Sequence, residues 1–92
     1  MSAYVVVELI VKDEEARKRY ASQASKAVAK FGGTFVARGD WQILAGEAGH
    51  AAGAILEFSD RERALEWYNS PEYQLSIADR EKALDCRFRL LG

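Results

Sequence analysis

The sequence predicts an α+β domain of ferredoxin-like type, an antiparallel sheet carrying its helices on one face. Three observations lead there. A β-branched run, Ala3 to Val11, precedes a long amphipathic segment that stops at Gly32-Gly33. A second helical segment starts near Ser59, and an alternating run from Asp85 to Leu91 follows it. Between the helical segments lie two extended stretches, so the order reads β-α-β-β-α-β, the split βαβ pattern. The 92 residues are expected to form one domain, residues 1–92.

In the first strand the odd positions Ala3, Val5, Val7, Leu9 and Val11 are all apolar. The even positions Tyr4, Val6, Glu8 and Ile10 carry one carboxylate among apolar groups. Alternation therefore gives one face for helices and a second face suited to a shared interface. Asp13 is placed to cap the first helix, with Glu14 and Glu15 at the positive end of its dipole. Ala16, Tyr20, Ala24, Ala27, Val28 and Phe31 recur at helical spacing as its inner stripe.

Thr34 to Arg38 reads as the second strand, with Gly39-Asp40 a turn or bulge and Trp41 to Ala45 continuing extended. Gly46 to His50 reads as a loop that leaves His50 exposed to solvent, and Gly53 to Phe58 as the third strand. Ser59-Asp60-Arg61-Glu62 spells a capping box with Ser59 as cap. Ala64, Leu65 and Tyr68 then form the inner stripe, which turns Tyr68 inward and leaves Trp67 for a dimer surface. Ser70 caps a new helix with Pro71 at its first position, and Tyr73, Ile77 and Leu84 mark its inner face. In the last strand Cys86, Phe88 and Leu90 alternate with Arg87 and Arg89.

Composition excludes several function classes. A net charge of −1 offers no basic excess to release counterions, so no nucleic-acid partner is expected. The run Tyr4 to Val11 is too short for a membrane span and lacks the basic flank of a signal peptide, so no membrane partner is expected. Cys86 is the single cysteine, which excludes an intrachain disulfide and points to a reducing, cytoplasmic setting. His50 is the one histidine, and no spacing of His, Cys and carboxylates supplies a metal site, so neither metal nor cofactor is expected. A chain this small leaves much apolar surface open unless a second copy covers it, and a homodimer is expected.

Gly32-Gly33, Arg38-Gly39, Ala64, Trp67-Tyr68 and Ser70-Pro71-Glu72-Tyr73, in this order and spacing, resemble the bacterial domain of unknown function 1330 family, of the dimeric α+β barrel superfamily. The resemblance runs along essentially the whole chain. It implies a ferredoxin-like subunit whose sheet pairs with a second copy to close a barrel. Asp40 and the loop Gly46 to His50 depart from the family pattern. The superfamily includes haem-degrading and quinone-forming monooxygenases, lactone isomerases, dehalogenases and stress-response proteins, and fold analogy does not choose among them.

The candidate site follows from residue types. Arg38 with Trp41, Tyr68 and Tyr73 would bind a small acidic or aromatic ligand, the guanidinium pairing its carboxylate and the rings holding its body. The competing reading makes the rings core and pairs Arg38 with a neighbouring carboxylate. Ser70 is a second candidate, as an anion site at a helix start or as a cap alone. Glu8, Arg87 and Arg89 fall on one face as a structural ion-pair cluster at the subunit interface, with Glu8 as a catalytic carboxylate the alternative. No catalytic residue is identified. The function expected is small-molecule binding, with cofactor-independent chemistry as its enzymatic form and a non-catalytic binding or stress-response module as the alternative.

Overall fold

A computed structural model describes residues 2–47 and 49–92. The elements are β1 (Ala3–Val11), α1 (Glu14–Lys30), β2 (Thr34–Asp40), β3 (Ala52–Phe58), α2 (Arg61–Asn69), α3 (Pro71–Gln74), α4 (Ile77–Ala83) and β4 (Leu84–Leu91). The strands form one antiparallel sheet in the order β2-β3-β1-β4, the arrangement of a ferredoxin-like α+β fold. No helix among the described residues is long and apolar enough to cross a membrane.

The alternation of β1 decides where the core sits. Ala3, Val5 and Val7 are buried beneath the helices with Leu56 and Phe58 of β3. Ala24, Ala27 and Val28 of α1, Ala64 and Trp67 of α2 and Tyr73 of α3 complete this core. Asp13 caps α1, accepting the Ala16 N–H at 3.1 Å. Gly32, at φ 74°, takes the left-handed conformation that ends the helix. At Gly33 a Cβ would come within 2.6 Å of the Phe58 ring, so the missing side chain lets the connection lie on the core.

Several expectations shift. The bulge falls at Val36, between Phe35 and Ala37, while Gly39 and Asp40 stay in the ladder opposite Gly53 and Ala52. The extra residue is 52% exposed, and it sets Phe35 and Arg38 on the same, helix-facing side, opposite Leu56 and Ala54. Trp41 to Ala45 is not a strand. Asp60, not Ser59, caps α2, accepting the Arg63 N–H at 2.8 Å. The helix after Ser70 breaks again at Leu75-Ser76, and Leu84 already belongs to β4. Within the loop Gly46 to His50, Ala48 lies outside the described residues. His50 is not a solvent-exposed loop residue: its side chain is largely covered, with Nε2 3.3 Å from Asp85 Oδ1.

Trp67, not Tyr68, is the inward ring of α2. Ala64 and Trp67 are buried, whereas Leu65 is exposed and Tyr68 half-buried. The Trp67 indole packs on Phe58 and Tyr73, with ring centroids 5.2 and 4.6 Å away. The larger apolar ring takes the dry position, and the phenol of Tyr68 reaches a charged partner at the edge.

Candidate functional site

A cleft of about 390 Å³ opens between α1 and the helix-facing side of the sheet. Val7, Leu9, Ala54 and Leu56 form its floor, Ala24 and Val28 its helical wall, and Trp67 and Phe88 close it. Tyr20, Arg17 and Arg38 are the principal polar groups on this otherwise apolar surface. Arg17 is held by Glu14, with Nε 2.7 Å from Oε1. Arg38 is exposed, lies over the Phe35 ring at 4.3 Å, and makes no ion pair among the described residues.

Beside the cleft lies a second polar cluster. Arg80 of α4, with a side chain only 11% exposed, donates from Nη1 to the hydroxyls of Tyr68 at 3.0 Å and Tyr73 at 3.1 Å. Tyr73 in turn lies 2.7 Å from the hydroxyl of Tyr20. The guanidinium sits 5.0 Å from the Phe88 ring centre, and Nη2 reaches Glu81 at 3.2 Å. Burial alone would lower the Arg80 pKa, but hydrogen bonds to Tyr68 and Tyr73 outweigh it and hold the guanidinium above its ordinary value. Burial also pushes both the Tyr20 and Tyr73 phenols up, so each keeps its proton at neutral pH. Tyr68 and Arg80 border a smaller polar cleft of about 250 Å³ with Lys12, Asp85 and Cys86. Burial raises the Cys86 thiol as well, which suits a packing role.

The residues singled out in the sequence are thus divided. Arg38 stands at the cleft with Phe35 and Trp67. Trp41 is on the opposite face of the sheet, where its indole covers Gly53 and donates from Nε1 to the Ala52 carbonyl at 2.8 Å. Tyr68 and Tyr73 belong to the Arg80 cluster, and Tyr73 is fully buried, so neither walls the cleft that Arg38 borders. Ser70 is buried too: its Oγ accepts the Tyr73 N–H at 3.1 Å and donates to the Trp67 carbonyl at 2.7 Å. Both roles of that hydroxyl are spent on backbone, which is the capping alternative.

Arg80 and Tyr20 were missed as site residues. Arg80 follows Tyr73 by seven positions, but the break at Leu75-Ser76 lies between them, so helical spacing alone does not give their shared face. Tyr20 was legible only as one member of an apolar stripe. On the far face Glu8 accepts from Arg89 at 2.5 Å and Arg87 at 3.4 Å, beneath Gly49, where a Cβ would meet Glu8 Oε2 at 2.8 Å.

Structures of similar fold are known. One is a protein of unknown function from Rhodopseudomonas palustris, 18% identical, with a TM-score of 0.78 over 98% of this chain and 80% of that one. A dimeric ferredoxin-like protein of unknown function from Thermobifida fusca is 13% identical, with a TM-score of 0.65 over 100% and 91%. SnoaB, a cofactor-independent oxygenase from Streptomyces nogalater, is 13% identical, with a TM-score of 0.60 over 99% and 91%. No curated protein matches the sequence. At these identities the likeness concerns the fold. Residues 2–92 match the model of one family, and the chain belongs to it: the domain of unknown function DUF1330.

Proposed function

We propose that the cleft between α1 and the sheet binds a small molecule with an aromatic or apolar body and an acidic group. The observation that carries this reading is the apolar cleft with the guanidinium of Arg38, which makes no ion pair among the described residues, at its edge. A volume near 390 Å³ suits a one- or two-ring metabolite. A cation stacked on Phe35 is oriented for a carboxylate without a protein counter-ion to displace.

Titration calorimetry with 2-naphthoate tests it. Binding to the wild type is expected, with Arg38→Ala weakening it about tenfold or more, the loss of one charge-assisted contact. Because Arg38 is exposed, the same variant should melt within a degree or two of the wild type, as surface substitutions do. Unchanged affinity in Arg38→Ala, or no affinity in the wild type, would overturn the reading.

Cofactor-independent chemistry on such a ligand is the second reading. The largely covered Arg80, bonded to Tyr68 and Tyr73 with Tyr20 beyond, favours it, because a fixed cation beside an apolar cleft stabilises developing negative charge. A cofactor-independent oxygenase from Streptomyces nogalater has a similar fold. We also propose that two copies pair through the sheet face away from the helices. Val6, Ile55 and the exposed Tyr4, Ile10 and Leu91 support it, as does a neighbour described as dimeric.

A further inference from the structure

We infer that Tyr20 is the inner hydrogen-bond donor of the cleft, offering its hydroxyl proton to an acceptor oxygen (phenolate, enolate or carboxylate) of the ligand. This rests on the ligand reading of the cleft and assigns the group that grips the end remote from Arg38.

The protons of the cluster fix the direction of its hydrogen bonds. Tyr73 is fully buried, and among the described residues its hydroxyl has two neighbours, Arg80 Nη1 at 3.1 Å and Tyr20 Oη at 2.7 Å. A guanidinium has donors only, so Arg80 donates to Tyr73. The Tyr73 proton then has one acceptor within reach, the Tyr20 oxygen, and a buried hydroxyl left without an acceptor costs about 1–3 kcal/mol. The direction of the chain is therefore Arg80 to Tyr73 to Tyr20.

Tyr20 accepts from Tyr73 and keeps its own proton with no acceptor among the described residues. Tyr20 borders the cleft between α1 and the sheet and not the smaller polar cleft beside Arg80. Each link also polarises the next, so the cation at Arg80 strengthens Tyr20 as a donor. Burial keeps both phenols protonated, which preserves that direction at neutral pH.

Two probes of one ring separate this from the cleft reading: nitrobenzene, and 4-nitrophenol, whose ionisation is followed by its absorbance. A donor at Tyr20 makes the cleft hold 4-nitrophenolate about tenfold more tightly than 4-nitrophenol, lowering the bound probe's pKa by about one unit. An apolar cleft without a donor raises that pKa instead. Most of the lowering should persist in Arg38→Ala and disappear in Tyr20→Phe. Tyr73→Phe, which removes the relay but leaves Tyr20, should lose part of it. If Tyr20→Phe fails to fold, Tyr73→Phe in the Arg38→Ala background decides: a lowering that shrinks supports the donor, and one that is unchanged overturns it. A lowering that survives in Tyr20→Phe, or a raised pKa in Arg38→Ala, overturns the donor role while leaving the cleft a binding site. Neither probe binding to the wild type overturns the cleft reading and this inference together.

Discussion

Trp67 and Trp41 show how much the surroundings of one side chain decide. Trp67 is 1% exposed between Phe58 and Tyr73, whereas Trp41 lies 37% exposed over Gly53. Trp67→Ala should therefore cost about 3–5 kcal/mol in urea unfolding, the range for a buried aromatic truncation. Trp41→Ala should cost about a third of that or less, since it vacates surface rather than core. Equal losses would place both rings in one core and refute this division. Sequence spacing alone did not separate Trp67 from Tyr68, because Ala64–Trp67 and Leu65–Tyr68 share the same three-residue interval. What breaks the tie arrives from elsewhere in the chain: Arg80 meets the Tyr68 hydroxyl at the edge of the core. Arg38 was legible as a cation near rings, but the ring beneath it is Phe35, brought to its side by a bulge that the sequence does not mark.

Among elements, the interrupted helix between β3 and β4 was half legible. Its first break announces itself, because Ser70 and Pro71 are a cap and a first-turn residue by chemistry alone. Its second break does not. Ser76 makes no capping bond; its hydroxyl donates back to the Tyr73 carbonyl at 2.6 Å, and it is fully buried. The turn there is held by packing of α4 on α1 and by Arg19 and Gln23 reaching Asp79 at 3.2 and 3.3 Å, contacts about sixty residues apart in sequence. Ser70→Ala leaves the Tyr73 N–H without its partner in a buried setting, while the Trp67 carbonyl loses the hydroxyl but keeps the Ser70 backbone N–H at 3.2 Å. It should destabilise the fold by about 1–2 kcal/mol in chemical denaturation, more than an exposed cap. Asp60→Ala, at an exposed cap, is the internal reference and should cost less. An equal or smaller loss at Ser70 would mean that the break is held by Pro71 and packing alone.

For the whole molecule, the question is what covers the sheet face opposite the helices. Val6 and Ile55 lie opposite each other near its centre and are already half-buried in one chain. Tyr4, Ile10 and Leu91 surround them with exposed apolar surface. The one carboxylate of β1, Glu8, is 13% exposed and answered by Arg87 and Arg89, and Glu57 on the same face accepts from the Tyr4 hydroxyl at 3.1 Å. The pairing proposed above would cover this apolar surface around a two-fold axis. Sedimentation at micromolar concentration should then give twice the chain mass of 10.3 kDa. Val6→Glu puts a charge at the centre of the pairing surface without touching the helix-facing core. It should yield a folded monomer, with the helical circular dichroism of the wild type and half its mass. A wild type sedimenting at 10.3 kDa would leave this face to solvent and refute the pairing. A Val6→Glu protein that stays dimeric would move the contact to another surface. The cleft lies on the other side of the sheet, so Val6→Glu should retain 2-naphthoate binding, which separates assembly from ligand recognition in a single protein.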